Sequence, residues 1–105
     1  MDEVKGIETL KLQDYKDKKI LAYYLHSREV KNKKGIQLIH KFQSKKDAKH
    51  FEFWGFTDFD SKISQIIPGT LVEITYLGMG KLKSGNNIHL VKLMQDRNDK
   101  IEITV

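Results

Sequence analysis

Cysteine is missing from this 105-residue sequence, which rules out a disulfide framework and any thiolate metal site. Proline occurs once, at Pro68, and with hydrophobic residues at 39% that scarcity argues for an ordered globular chain. No apolar run approaches the length of a membrane span. The start, Met1-Asp2-Glu3, is acidic and unlike a signal peptide. A soluble cytoplasmic protein with no membrane partner is the expectation. The length suits one domain with a modest core, and neither a repeat nor a linker interrupts it.

Catalytic groupings are scarce as well. Four histidines, His26, His40, His50 and His89, lack the spacing of a zinc site. His40 and His89 lie on strands and read as ordinary barrel residues. Asp58-Phe59-Asp60 looks like a carboxylate pair, but it stands at a helix start, where acids satisfy free amides and suit the dipole. The stretch 78–85 contains Gly80-Lys81, yet Thr75 occupies the first glycine position of a phosphate loop and Leu82 follows the lysine. A hairpin is the better reading there. No cofactor is called for, and an enzyme is not expected.

What is present is positive charge, unevenly spread. The chain carries a formal net charge of +5 and a pI near 9.4. Residues 30–50 hold Lys31, Lys33, Lys34, Lys41, Lys45, Lys46 and Lys49 against Asp47 alone, a local charge of about +6. The rest of the chain is therefore close to neutral. A lysine-rich face also protects strand edges, but one sign concentrated in one hairpin favours a footprint for phosphates.

The hydrophobic pattern is mostly that of strands. Residues 20–30 form a long first strand, and Asn32-Lys33-Lys34-Gly35 supplies the turn of a hairpin. In the second strand Ile36, Leu38, His40 and Phe42 share one side, with Gln37, Ile39 and Lys41 on the other. The third strand sets Phe51 and Phe53 against His50, Glu52 and Trp54. Phe59, Ile63, Ile66 and Ile67 then make one helical stripe, capped by Thr57 or Asp58 and stopped by Pro68-Gly69. Two alternating strands follow, at 71–80 and 88–94, joined through 81–87. The order β-β-β-α-β-β is that of a five-stranded OB-fold barrel, all-β with one short helix. The OB domain is placed at 20–95. Residues 1–19, with Val4, Ile7, Leu10, Leu12 and Tyr15, are an N-terminal arm or an extra strand; residues 96–105 are a C-terminal strand or tail.

Single strands are held without sequence preference by cations along the backbone and aromatic faces under the bases. The chain has ten aromatics, counting Trp, Tyr and Phe. Phe51, Phe53 and Phe59 belong to the core pattern. Trp54, Phe56, Tyr23 or Tyr24, Phe42 and Tyr76 remain for stacking, with Phe56 favoured as packing at the strand–helix junction. The usual OB ligand surface is the face of strands two and three with the one–two and four–five loops. Here those loops, 31–35 and 81–87, both carry lysines. The expected site is therefore Trp54, Tyr24, Phe42 and Tyr76 with Lys33, Lys34, Lys81 and Lys83, flanked by Lys41, Lys45 and Lys46.

Residues 20–95 resemble the OB-fold single-stranded-DNA-binding proteins of bacteria, especially the small ones carried by phages and mobile elements. The resemblance rests on Phe53-Trp54-Gly55, on Pro68-Gly69-Thr70-Leu71-Val72-Glu73-Ile74, and on the stretches 78–85 and 88–93. An aromatic–glycine pair ending strand three is a DNA-stacking position in that family, and Trp54 matches it. The resemblance implies coating of single-stranded DNA in replication, recombination or transfer. The family's bacterial members end in an acidic tail that recruits partners, whereas this sequence reads Ile101-Glu102-Ile103-Thr104-Val105. An RNA-binding OB domain and a protein-interaction module, phage-type inhibitor or complex subunit, are the alternatives. Oligomeric state stays open.

Overall fold

A computed structural model describes residues 9–103 of the chain. The strands are β1 (Thr9–Leu10), β2 (Ile20–Asn32), β3 (Gly35–Ser44), β4 (His50–Trp54), β5 (Thr70–Lys81) and β6 (Asn87–Lys100). The helix α1 spans Thr57–Ile63 and a 3-10 turn spans Leu12–Tyr15. From β2 onward the order β-β-β-α-β-β is the expected one. The described residues are mostly strand with one short α-helix, and the six strands form a sheet in the order β1-β4-β3-β2-β5-β6.

Long β2 is shared. Its first residues pair with β5, Ile20 opposite Ile74 and Tyr23 opposite Leu71, while its other edge pairs with β3 from Ala22 to Asn32. Such sharing requires a bend, and the register shift between Tyr24 and His26 supplies it. The shift also resets the phase of the strand. Ala22 and Tyr24 point inward before it; Ser27, opposite the buried His40, does so after it.

The core closes over aromatic rings. Phe42 is fully buried and lies nearly parallel to Phe59 of α1, with centroids 6.2 Å apart and planes 4° apart. Tyr24, Phe51 and Phe53 surround it, and Ala22, Val72, Ile74, Tyr76 and Val91 extend the cluster along β2, β5 and β6. Burial of such side chains stabilises by about 1.5–3 kcal/mol each before chain entropy is counted.

The N-terminal stretch joins this core. Thr9–Leu10 pairs in parallel with β4, Leu12 is completely buried, and Tyr15 meets Phe53 edge-on at 5.7 Å. Of the two alternatives for this region, residues 9–10 take the strand. The part before Thr9, with Val4 and Ile7, lies outside the described residues, as do Thr104 and Val105.

Three local expectations are corrected. The helical stripe stops at Ile63, leaving Ile66 half-buried and Ile67 exposed. Pro68 pushes its predecessor out of the helical region, and Gly69 must reach across to donate its N–H to the Tyr24 carbonyl at 2.6 Å. Gly69 has φ +95°, and a Cβ there would lie 2.5 Å from the Ile101 carbonyl oxygen. Second, neither Thr57 nor Asp58 caps α1; Phe56 holds that position without a side-chain bond. Asp58 instead accepts from the Val91 N–H at 2.9 Å and from Lys62 Nζ at 3.0 Å, fastening α1 to β6. Third, β6 continues to Lys100, and residues 101–103 form no strand. Ile101 donates to the Gly69 carbonyl, so this segment crosses beside β2.

Candidate nucleic-acid interface

The outer face of β2, β3 and β4 carries the residues of interest in two cross-strand rows. One row is Arg28, Ile39 and Trp54; the next is His26, Lys41 and Glu52. Trp54 is half-buried, its ring flanking the buried Ile39 in register. Outward placement of Trp54 is what the strand alternation predicts.

Glu52, in contrast, is buried on a face expected to be polar. Arg28 grips both its carboxylate oxygens, Nη2 to Oε1 at 2.9 Å, and Thr9 Oγ1 donates to Oε1 at 2.6 Å. The Arg28 guanidinium, above all, holds the Glu52 carboxyl below the usual carboxylate range. The acid two residues before Trp54 on the same face of β4 is thereby paired. Lys41 beside it is half-buried and forms no ion pair among the described residues.

The β2–β3 turn lies at the end of the same face. Asn32 Oδ1 accepts from the Lys34 N–H at 2.9 Å, and Gly35, with φ +119°, completes the reversal. Lys33 and Lys34 are exposed there and make no ion pair with a described residue. Towards the other end of β3, a groove of about 270 Å³ separates the face from residues 101–103, lined by His26, Lys41, Gln43 and His50.

The other expected aromatics do not reach this face. Tyr24, Phe42 and Tyr76 are 7%, 0% and 5% exposed, and all three belong to the core. Tyr24 is inward because its strand alternates on that phase up to the bulge; its neighbour Tyr23 faces outward, half-buried. Phe42 sits at the centre of the ring stack. The Tyr76 hydroxyl shares a hydrogen bond of 2.7 Å with His89 Nδ1, and its ring packs edge-on to Phe56.

The lysines divide too. Lys45 is held by Asp99, which also accepts from the Tyr23 hydroxyl at 2.8 Å. The bond to Asp99 raises both the Lys45 and the Tyr23 pKa, and Lys45 in turn lowers that of Asp99. Lys46 is exposed without an ion pair among the described residues. Lys81 and Lys83 are exposed near the β5–β6 turn. With Ile20 opposite Ile74, the later half of β5 runs past the start of β2, so this turn and the Lys33–Lys34 turn lie at opposite ends of the β2 axis. The two lysine turns are not one patch.

A buried polar chain went unseen in the sequence. His40 is completely buried, with Nδ1 2.6 Å from Ser27 Oγ and Nε2 2.7 Å from Asp60 Oδ1; Tyr24 Oη meets the same Ser27 hydroxyl. Burial lowers the His40 pKa, outweighing Asp60, so the ring is neutral at pH 7. One proton arrangement then satisfies every group: Tyr24 donates to Ser27, Ser27 to Nδ1, and Nε2–H to Asp60. With the ring inaccessible and both nitrogens occupied, the chain ties α1 to β2 and β3. Gly55 makes room for it, because a Cβ there would lie 2.1 Å from Asp60 Oδ1 and 2.9 Å from His40 Nε2. The bulge that turns Ser27 inward is the reason spacing alone did not reveal the group.

Among the described residues no group of three or more potential ligands could hold a metal ion, and no helix is long and apolar enough to cross a membrane. Comparison with protein-family models, with curated proteins and with solved structures finds no match to this chain.

Proposed function

We propose that this chain is an OB-like barrel that binds single-stranded DNA with little sequence preference through the outer face of β2, β3 and β4. The observation that carries the reading is Trp54: a partly exposed ring on the face of Lys41, which forms no ion pair among the described residues, and of the Lys33–Lys34 turn, with Glu52 on the same strand locked to Arg28. Stacking on one aromatic contributes about 1–3 kcal/mol per base, and lysines along the backbone add counterion release. The β-β-β-α-β-β order, with β2 shared between β3 and β5, supports the barrel architecture. Coating of strands during replication, recombination or transfer is the role such binding would serve.

Titration of tryptophan fluorescence with oligo-dT at two salt concentrations tests this directly, since Trp54 is the sole tryptophan. Quenching that weakens with salt is the expected result; no quenching and no binding by anisotropy would remove the reading. Parallel titration with oligo-U separates DNA from RNA, which differ at the 2′-hydroxyl.

A second reading rests on a different surface. Leu77, Met79, Leu82 and Met94 on β5, β6 and their turn are each about half exposed, beside β6, an edge strand among the described residues whose outer side α1 engages at Val91 through Asp58 and Lys62. Such an edge with apolar neighbours suits a protein partner that adds a strand. An interaction indifferent to salt and to oligonucleotide would favour it.

A further inference from the structure

A second groove, of about 740 Å³, opens where β2 begins and β3 ends. That volume falls within the range of small-ligand sites. Tyr15 and Leu21 form its apolar side, and Lys19, Ser44, Lys45 and Lys46 its polar side; no acid lines it. Tyr15 is held in place by its edge-on contact with Phe53, and Leu21 is 48% exposed although aliphatic. Asp99 engages Lys45, leaving Lys19 and Lys46 exposed and free of ion pairs among the described residues. An apolar wall facing two unpaired ammonium groups matches a base and its phosphate better than it matches any neutral ligand.

We propose that this groove holds a further nucleotide of the same single strand that stacks on Trp54, its phosphate between Lys19 and Lys46 and its base against Leu21 and Tyr15. The inference rests on the single-strand reading above and adds the direction of the strand. Lys41 and Gln43 alternate along β3 on the face that carries Ile39, the register partner of Trp54, and Lys45 follows in the turn after Ser44. Five residues of strand lead from Ile39 to Ser44 at the groove, about 17 Å at 3.3 Å per residue. A stacked strand covers that distance with roughly five nucleotides, and an extended one with fewer. The bound strand therefore runs along β3 from the Lys33–Lys34 turn to this groove. Asp99 lies on that path with its charge absorbed by Lys45 and Tyr23.

The test compares oligo-dT of about fifteen nucleotides with oligo-dT of about three, a length too short to span both positions. Both are titrated against the full chain and against its Lys19→Glu/Lys46→Glu variant, with thermal melting to verify that the variant folds. The long oligomer should lose at least tenfold in affinity, and its salt slope should flatten by about 0.7, the value for one phosphate on a single strand. The trimer should quench Trp54 equally in both proteins. Lys19→Gln/Lys46→Gln should show the same pattern to a smaller degree. An unchanged long oligomer would overturn the groove while the Trp54 reading stands. Equal weakening of both lengths would also overturn it, since a general field rather than a seated nucleotide would then be at work. Failure of the unaltered chain to bind either oligomer would remove the single-strand reading and the groove's role with it.

Discussion

Trp54 and Gly55 are adjacent in sequence and serve opposite sides of the sheet. Trp54 offers a ring to the outer face, and its truncation should cost binding without costing the fold. Trp54→Ala should weaken oligo-dT binding by about 1–3 kcal/mol, measured by anisotropy, with a melting temperature close to that of the unaltered protein. Gly55 works inward. Gly55→Ala would force Asp60 off His40, since the new Cβ would also press on the Leu38 carbonyl oxygen at 2.9 Å and cannot retreat. A buried imidazole losing a partner is destabilised by about 1–3 kcal/mol. Chemical denaturation should show that loss, and much less of it when Asp60 is already Ala, because the two changes remove the same bond. At this scale the alternation in β4 made Trp54 legible. Tyr23 and Tyr24 were not distinguishable, because which of two adjacent tyrosines faces in depends on a bulge that leaves no mark in composition.

The elements were legible where periodicity ran undisturbed and obscure where tertiary bonds took over. The strands β2 to β5 lie where the apolar alternation placed them, though a bulge shifts the phase of β2 and Glu52 is buried on the polar side of β4. The end of β6 lies past the alternating stretch 88–94: Asp96, Arg97, Asn98 and Asp99 fall in the segment read as a C-terminal strand or tail, and Leu71 pairs with Asp96 and Thr70 with Lys100 around a bulge. The helix is shorter than its apolar stripe because Pro68 keeps its predecessor out of the helical region and Gly69 is drawn to Tyr24. The paired lysine loops were legible as loops, but their placement was not, since it depends on how far β5 slides past β2. That register has a consequence for binding. Lys33→Glu/Lys34→Glu should flatten the salt dependence for an oligomer of about five nucleotides by about 1.4 in slope. Lys81→Glu/Lys83→Glu, at the far end of the β2 axis, should leave that short oligomer nearly unaffected. Equal effects from both pairs would mean that the strand does not follow β3.

For the molecule as a whole, two internal ionisable groups set the response to acid, and both act in the same direction. His40 is buried neutral, with its folded pKa below the ordinary value of about 6.5. The unfolded chain therefore binds a proton that the native one refuses, and stability falls as pH drops below about 6.5. Glu52, held low mainly by Arg28, adds stability above about pH 4.3 that is lost on further acidification. Neutral or slightly alkaline solution should be the most stabilising, with a first decline between pH 7 and 5 that belongs to His40. Thermal melts at pH 7.5 and 5.5 should show the lower melting temperature at 5.5. The chain holds three further histidines, His26, His50 and His89, so the decline must be assigned. In a His40→Gln variant that still folds, the difference between the two pH values should shrink. If that variant does not fold, an NMR titration of the His40 ring in the unaltered protein decides the matter. A ring that stays neutral down to the pH at which the protein unfolds supports the assignment. A ring that protonates near 6.5 with the fold intact would show that Asp60 offsets burial, and the acid response would then have to arise elsewhere.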